Sequence, residues 1–362
     1  MVTSDHLSAQ LLADELARHG LRDAVISPGS RNAPLVLAFW HHPDIRVIVA
    51  GDERSAGHVA LGLACQTRRP AAVISTSGTA AVNHGPAIAE ARFAGTPLIS
   101  ITADRPAAVR HAGHGQTAYQ PHLFANHVLF ESELDEVAHD AATLRAQIAA
   151  GWQAALRGPV HFNVPLAEPL YGLTQRLDSA AAVPVPPVPD PAAPAAVPAW
   201  SEGDWRELLC GDQARVLVHA GPMPHDAELA DLRETLLERC ALLADVLSPL
   251  AGDGAESSAD RWMRAGAPLP DVILTLGGPP MSKAFRQAIA AAGIPHWHLG
   301  DDGAARDVFG HLRGVVPGSP AEALAAVLES MPGFNTYAAD AKAAAWGLED
   351  RHRRAVAAAG WS

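Results

Sequence analysis

Asp23-Ala-Val-Ile-Ser-Pro-Gly-Ser-Arg-Asn-Ala-Pro-Leu35 is the stretch whose reading sets the architecture of the chain. Asp23–Ser27 is a short apolar run of the kind that forms a buried strand. Pro28 and Gly29 stop that strand and force a turn. The turn then carries a hydroxyl (Ser30), a guanidinium (Arg31) and an amide (Asn32) in succession. A guanidinium is a planar fork of donors that matches a carboxylate or a phosphate. A loop of this kind, after a buried strand, is where open α/β sheets hold ligands. An ordinary turn with a solvated Arg31 explains the same residues, so the rest of the chain has to decide.

Outward from this loop the sequence alternates strand and helix signals. Leu7, Leu11, Leu12 and Leu16 lie on one helical face that ends near Gly20. A helix is expected through 35–40, a strand at 46–50, a helix at 54–65 and a strand at 71–76. A helix of small residues follows at 79–93, then a strand at 97–102, a helix at 141–156 and a strand at 159–164. Strands separated by helices of this length imply parallel βαβ units. Residues 179–200 are rich in proline and read as a semi-rigid extended linker. A second α/β pattern follows, with strands expected at 215–219, 241–244, 272–276 and 296–298. The chain closes on an Ala-rich helical pattern over 338–359. The fold class is therefore α/β, with a second Rossmann-like α/β domain after the linker.

Composition excludes several functions. The 362 residues include 48% hydrophobic ones, enough for more than one globular core. With 27 basic and 39 acidic residues the formal net charge is −12, which argues against nucleic acid or an anionic membrane as partner. Three cysteines without close pairing, a start lacking a signal pattern and the absence of any long apolar run predict a cytoplasmic protein without membrane contact. The 18 histidines form pairs but no set of ligands at a recognisable metal spacing, so no metal site is assigned. Gly252-Asp-Gly254 is too isolated to be read as a magnesium motif.

Four further loops carry polar groups where strands end. In Gly51-Asp-Glu-Arg-Ser-Ala-Gly-His58, Glu53 stands at a helix start. Acidic residues favour that position because they oppose the helix dipole. A carboxyl there also suits proton exchange with a nitrogen heterocycle, if burial tunes it. Ser75-Thr-Ser-Gly-Thr79 offers hydroxyls and N–H groups at the next strand–helix junction, for capping or for a polar ligand. Thr102-Ala-Asp-Arg-Pro106 brings a second guanidinium, Arg105, and reads equally as a surface turn with an Asp104–Arg105 pair. Gln116 adds an amide in a Gly-rich loop.

Taken in order, the motifs resemble those of one family. Ser27–Leu35, the run from Asp52 to Ala64, Thr76–Ala80, Thr102–Pro106, Gln116-x-x-x-Gln-Pro121 and Pro165–Tyr171 are similar to the SEPHCHC synthases, thiamine-diphosphate enzymes of menaquinone biosynthesis. The resemblance implies a transferase that decarboxylates 2-oxoglutarate and adds the thiamine-bound enamine to isochorismate. By the same resemblance Glu53 is the catalytic carboxyl that bonds the cofactor's aminopyrimidine. Ser30, Arg31, Arg105 and Gln116 hold isochorismate, while Thr76, Ser77 and Gly78 line the cofactor cleft. Gly115 departs from the pattern, since the family often has Asn there.

The resemblance also divides the chain. It implies a pyrimidine-binding domain over 1–178, the linker at 179–200, a central domain over 201–335 and a helical segment over 336–362. The family's third domain holds Mg2+ and the diphosphate and would follow that segment. Activity is then expected only with that domain supplied in continuation or in trans, within a homo-oligomer. Two other readings fit the motifs less fully. One is another thiamine-diphosphate carboligase or decarboxylase, which would not need both arginines. The other is a non-catalytic module that binds a dicarboxylate.

Overall fold

The computed structural model describes residues 2–176, 214–264, 266, 268–300, 307–331 and 336–359. The chain divides into two compact units, Met1–Pro191 and Ala192–Ser362. The proline-rich linker expected at 179–200 lies outside the described residues.

The first unit runs β1 (Val2–Ser4), α1 (Leu7–His19), β2 (Asp23–Ile26), α2 (Ala33–Trp40), β3 (Arg46–Val49), α3 (Glu53–Thr67), β4 (Ala71–Ser75), α4 (Thr79–Val82), α5 (Gly85–Ala94), β5 (Leu98–Asp104), β6 (Phe130–Glu133), α6 (Ala141–Ala155), β7 (Val160–Pro165) and β8 (Leu173–Gln175). Six strands form one parallel sheet in the order β3-β2-β4-β5-β7-β6. Strands β4, β5 and β7 are buried along their whole length, as parallel strands covered on both faces must be. One face packs against α1, α2 and α6 through a core that includes Leu12, Leu16, Phe39, Ile148 and Phe162. The other packs against α3 and α5 through Ala56, Ala60, Ile88 and Ala91. Small residues on that side let the helices lie close to the sheet.

The helix expected at 79–93 is two helices. Pro86 has no N–H to donate back into the preceding turn, so the chain restarts after His84. The buried ring of His84 lies 2.9 Å from the Ser100 hydroxyl. Strand β6, of sequence Phe-Glu-Ser-Glu, is a half-buried edge strand whose composition gives no apolar run to read. The antiparallel pair β1–β8 is three residues long on each side and equally silent in the sequence.

The second unit runs β9 (Val216–Ala220), α7 (Ala227–Asp231), α8 (Arg233–Arg239), β10 (Ala241–Ala244), α9 (Ala259–Arg264), β11 (Val272–Leu276), α10 (Lys283–Ala292), β12 (His296–Leu299), β13 (Leu312–Val316), α11 (Pro320–Glu329) and α12 (Thr336–Ala358). Its parallel sheet has the order β10-β9-β11-β12-β13. Strand order reverses beside β9, the point where such sheets usually leave a ligand crevice. Here the loops after β9 and β11 meet backbone to backbone. The Gly278 N–H donates to the Pro222 carbonyl at 2.9 Å, and a Cβ on Gly221 would stand 1.8 Å from the Gly278 oxygen. Helix α12 starts in the core of this unit, where Tyr337 is buried and its hydroxyl donates to the Pro268 carbonyl at 3.0 Å.

Two buried histidines make this unit acid-sensitive. Burial lowers the pKa of His219 and of His296 from the ordinary 6.5 to about 4. The unfolded chain takes up these protons before the folded one does. Stability is therefore full above about pH 6.5 and falls as the pH drops towards about 4. His296→Phe keeps the edge contact with Phe309 and removes one such group. Thermal melting between about pH 7 and about pH 5 should show a smaller loss of stability in His296→Phe than in the wild type.

Candidate active site at the carboxyl edge of the first sheet

The sheet of the first unit reverses direction at β2: β3 lies on one side of it and β4 on the other. The loops leaving β2 and β4 therefore diverge, and a gap opens at their carboxyl ends. Gly29 and Thr76 touch across it. A Cβ on Gly29 would lie 2.7 Å from the Thr76 Cβ, so only glycine fits. Asn32 does not face outward with Ser30 and Arg31. It is fully buried, accepts from the Gly29 N–H at 2.7 Å and donates to the Ser27 carbonyl at 2.9 Å. Its amide shapes the loop, which leaves Ser30 exposed and Arg31 partly buried.

Glu53 opens α3 at the end of β3. The helix is capped by its neighbour: Asp52 accepts from the Ser55 N–H at 2.7 Å, and that bond holds the Asp52 carboxyl below the usual range. Capping thus does not employ Glu53. Its partly buried carboxyl has no hydrogen-bond or ionic partner among the described residues.

Both predicted guanidiniums end at this edge. Arg31 donates to the Leu166 carbonyl at 2.9 Å and pairs with Glu168 at 3.2 Å; the Arg31 side chain is 11% exposed and that of Glu168 73%. Arg105 donates to the Gly115 carbonyl at 2.7 Å, and its buried Nε has no partner among the described residues. Each fork keeps donors that no described residue uses. Gln116 lies exposed in the loop after β5, in the left-handed region at φ 57°. Its carbonyl accepts the Ser77 hydroxyl at 3.0 Å. Thr76 and Ser77 are buried, and the Gly78 N–H donates to Gln120 at 2.8 Å. The polar groups of Ser77 and Gly78 are thus engaged in fixing the neighbouring loop.

A buried network that the sequence reading did not single out lies beneath these loops. Asp104 is fully buried and pairs not with Arg105 but with Arg110, at 2.8 Å. Arg110 also reaches Glu133 at 2.7 Å. Asp104 accepts from the Arg105 N–H at 2.7 Å, and Arg110 donates to the Arg105 carbonyl at 3.1 Å, so the pair grips the Arg105 backbone on both sides. Burial raises the Asp104 pKa against the opposing pull of Asn163 and Arg110. Asn163 and His161 alternate with apolar residues on β7, a polar stripe in a buried strand that was a readable signal. The hydroxyls of Ser27 and Ser75, at the ends of β2 and β4, are buried without partners among the described residues.

Comparison with known proteins agrees with this geometry. Residues 8–131 match the family described as thiamine pyrophosphate enzyme, N-terminal TPP binding domain. The chain is 36% identical to the 2-succinyl-5-enolpyruvyl-6-hydroxy-3-cyclohexene-1-carboxylate (SEPHCHC) synthase of Staphylococcus epidermidis over 296 residues, covering 78% of this chain and 52% of the relative. The chain is homologous to the SEPHCHC synthases. A Synechococcus SEPHCHC synthase is 36% identical over 327 residues, with 81% of this chain and 54% of the relative covered. That of Synechococcus elongatus reaches 49% over 170 residues, 45% of this chain and 29% of the relative. The chain thus spans about half the length of the SEPHCHC synthases it matches. The match to the N-terminal domain of thiamine pyrophosphate enzymes thus lies within the first unit, and a second parallel α/β domain follows.

The residues present fit the pyrimidine end of that cofactor. Glu53 is a carboxyl with no partner among the described residues, and two hydroxyls likewise without one lie at the strand ends of the gap. Among the described residues no group of three or more His, Cys, Asp or Glu is arranged to hold a metal ion. No described helix is long and apolar enough to cross a membrane.

Removing one partner of a buried ion pair costs about 3–5 kcal/mol. Arg110→Met should therefore destabilise the first unit by about 3 kcal/mol in chemical denaturation, because Asp104 is left buried without its counter-ion. Adding Asp104→Asn should recover part of that loss.

Proposed function

We propose that this chain supplies the pyrimidine-binding and central parts of a SEPHCHC synthase. The observation that carries this reading is the Glu53 carboxyl, without a partner among the described residues, at the sheet edge where Arg31 and Arg105 also end. Thiamine diphosphate, when bound, supplies the electron sink for decarboxylating 2-oxoglutarate and joining the remainder to isochorismate. Glu53 holds and moves a proton at a ring nitrogen of the pyrimidine. Thr76, Ser77 and Gly78 line the cleft through backbone and packing. Ser30, Arg31, Arg105 and Gln116 bind isochorismate: its two carboxylates suit two guanidinium forks, and Gln116 and Ser30 orient its ring substituents. A domain carrying Mg2+ and the diphosphate comes from the same polypeptide or in trans, in a homo-oligomer working in the cytoplasm on the menaquinone pathway.

A positioned proton-transfer group contributes roughly 10²–10⁴-fold to rate. Glu53→Gln, assayed with a diphosphate-binding half supplied, should lose turnover on that scale and keep the melting temperature of the wild type. Near-full turnover would assign Glu53 to the helix start alone.

The arginines separate this reaction from other thiamine-diphosphate chemistry. A hydrogen bond to a charged group is worth about 1.5–3 kcal/mol. Arg31→Ala and Arg105→Ala should each raise the KM for isochorismate about tenfold or more and leave that for 2-oxoglutarate little changed. Lys at either position should recover only part, since it lacks the fork. Equal losses for both substrates would point to another acceptor.

A further inference from the structure

Gln120 is fully buried in the loop after β5, and both its amide oxygen and its amide nitrogen are bonded inside the chain. Its Oε1 accepts from the Gly78 N–H at 2.8 Å. Its Nε2 donates to the Ala103 carbonyl at 2.9 Å and to Asn163 Oδ1 at 3.0 Å. One amide thus ties the turn after β4 to the last residues of β5 and to β7. The turn and the loop are pressed together at this point. Gly78 has φ 82°, and a Cβ there would lie 2.9 Å from the Gln116 carbonyl. Gln116 and His122, on either side of Gln120, are both in the left-handed region, at φ 57° and 61°. Non-glycine residues hold that conformation only where the surroundings impose it.

We infer that Gln120 is a positioning residue: it holds the Ser77–Gly78 turn against Gln116 and Arg105 in the arrangement that the substrate requires. The inference rests on the proposed use of Gln116 and Arg105. Gln120 itself, enclosed by protein, touches no ligand.

The orientation of the network is fixed, which gives the inference a sharp test. Asn163 Nδ2 donates to two carboxylates, Asp104 at 2.9 Å and Glu133 at 3.0 Å. Asn163 Oδ1 must therefore face Gln120 and also accepts the Thr102 hydroxyl at 3.0 Å. Flipping Asn163 would turn its oxygen onto the carboxylates. A group at position 120 thus has to accept from Gly78 on one side and donate to two oxygens on the other. Glutamine does both. An ionised glutamate of the same size has no proton for the second side, whereas a protonated glutamate restores one donor. The other charged or titratable groups joined to this network are Arg110, through Asp104 and Glu133, and His161, whose ring lies 2.8 Å from the Thr102 hydroxyl and 3.2 Å from Glu131.

The test compares Gln120→Glu, Gln120→Met and wild type in the full chain assembled with a diphosphate-binding half. It reads the hydrogen exchange of the Gly78 amide and the affinity for isochorismate by calorimetry. At about pH 8 both Gln120→Glu and Gln120→Met should lose Gly78 protection and bind isochorismate about tenfold or more weakly than wild type. At about pH 5, relative to wild type at the same pH, Gln120→Glu should regain most of both and Gln120→Met neither. A filler of core space would give two variants that behave alike at both pH values, and that result would overturn the inference. So would wild-type affinity in Gln120→Glu at about pH 8. If the wild-type chain binds no isochorismate while Gly78 exchange follows the pattern above, the network holds the turn and the assigned substrate is wrong, which overturns the positioning role for that substrate.

Discussion

Strand order reverses once in the first sheet, at β2, and that reversal constrains everything functional in this unit. It separates the loops after β2 and β4 and leaves backbone and side-chain groups at the carboxyl edge without a neighbouring strand to satisfy them. The chain resolves most of these groups by local bonds. Asn32 closes the first loop, Gly29 admits Thr76, and the Gln120–Asn163–Asp104–Arg110 network carries the loop after β5 back over the edge. Among the described residues, the groups left unsatisfied there include the Glu53 carboxyl, the Ser27 and Ser75 hydroxyls and the spare donors of Arg31 and Arg105. The second sheet has the same kind of reversal, but its two loops fill the gap with each other's backbone. The difference between the units is thus a difference in whether the crevice is closed by the protein itself.

Electrostatics at the edge are local. The chain as a whole carries a formal charge of −12, unfavourable for an anionic ligand. Arg110 contributes little to offset this, because Asp104 and Glu133 both pair with it. Arg31 is partly engaged by Glu168, but that carboxylate is largely exposed and its ion pair is correspondingly weak. On the proposed reading, the positive charge offered to a dicarboxylate comes from Arg31 and Arg105 and acts at short range.

The parallel framework was legible because its strands are continuous apolar runs and its helices have clear stops; 241–244 and 272–276 were read to the residue. Strand β13, interrupted by Arg313 and Gly314, was not, and neither were three further features. Strand β6 is half acidic, the β1–β8 pair is too short to show a period, and the 79–93 helix hid a break because small residues mask the effect of Pro86. In the candidate site, Arg31 and Arg105 stood out as guanidiniums in the loops after apolar strands and Glu53 as a carboxyl at a helix start. The role of Asn32 did not, since an amide reads the same whether it faces a ligand or its own backbone. One of the two readings open for 102–106 pairs Asp104 with its sequence neighbour Arg105, whereas its side-chain partner Arg110 is brought to it only by the fold of the loop. Contacts set by tertiary closure carry no local signal.

The central claim is that Glu53 addresses the pyrimidine ring of thiamine diphosphate. The most direct test is nuclear magnetic resonance of the cofactor, isotope-labelled at the pyrimidine ring nitrogens and bound to this chain assembled with a diphosphate-binding half. The account predicts that one ring-nitrogen resonance moves on binding to the wild-type assembly and that this displacement is lost in Glu53→Gln while the cofactor remains bound. An identical resonance in the two assemblies would contradict it.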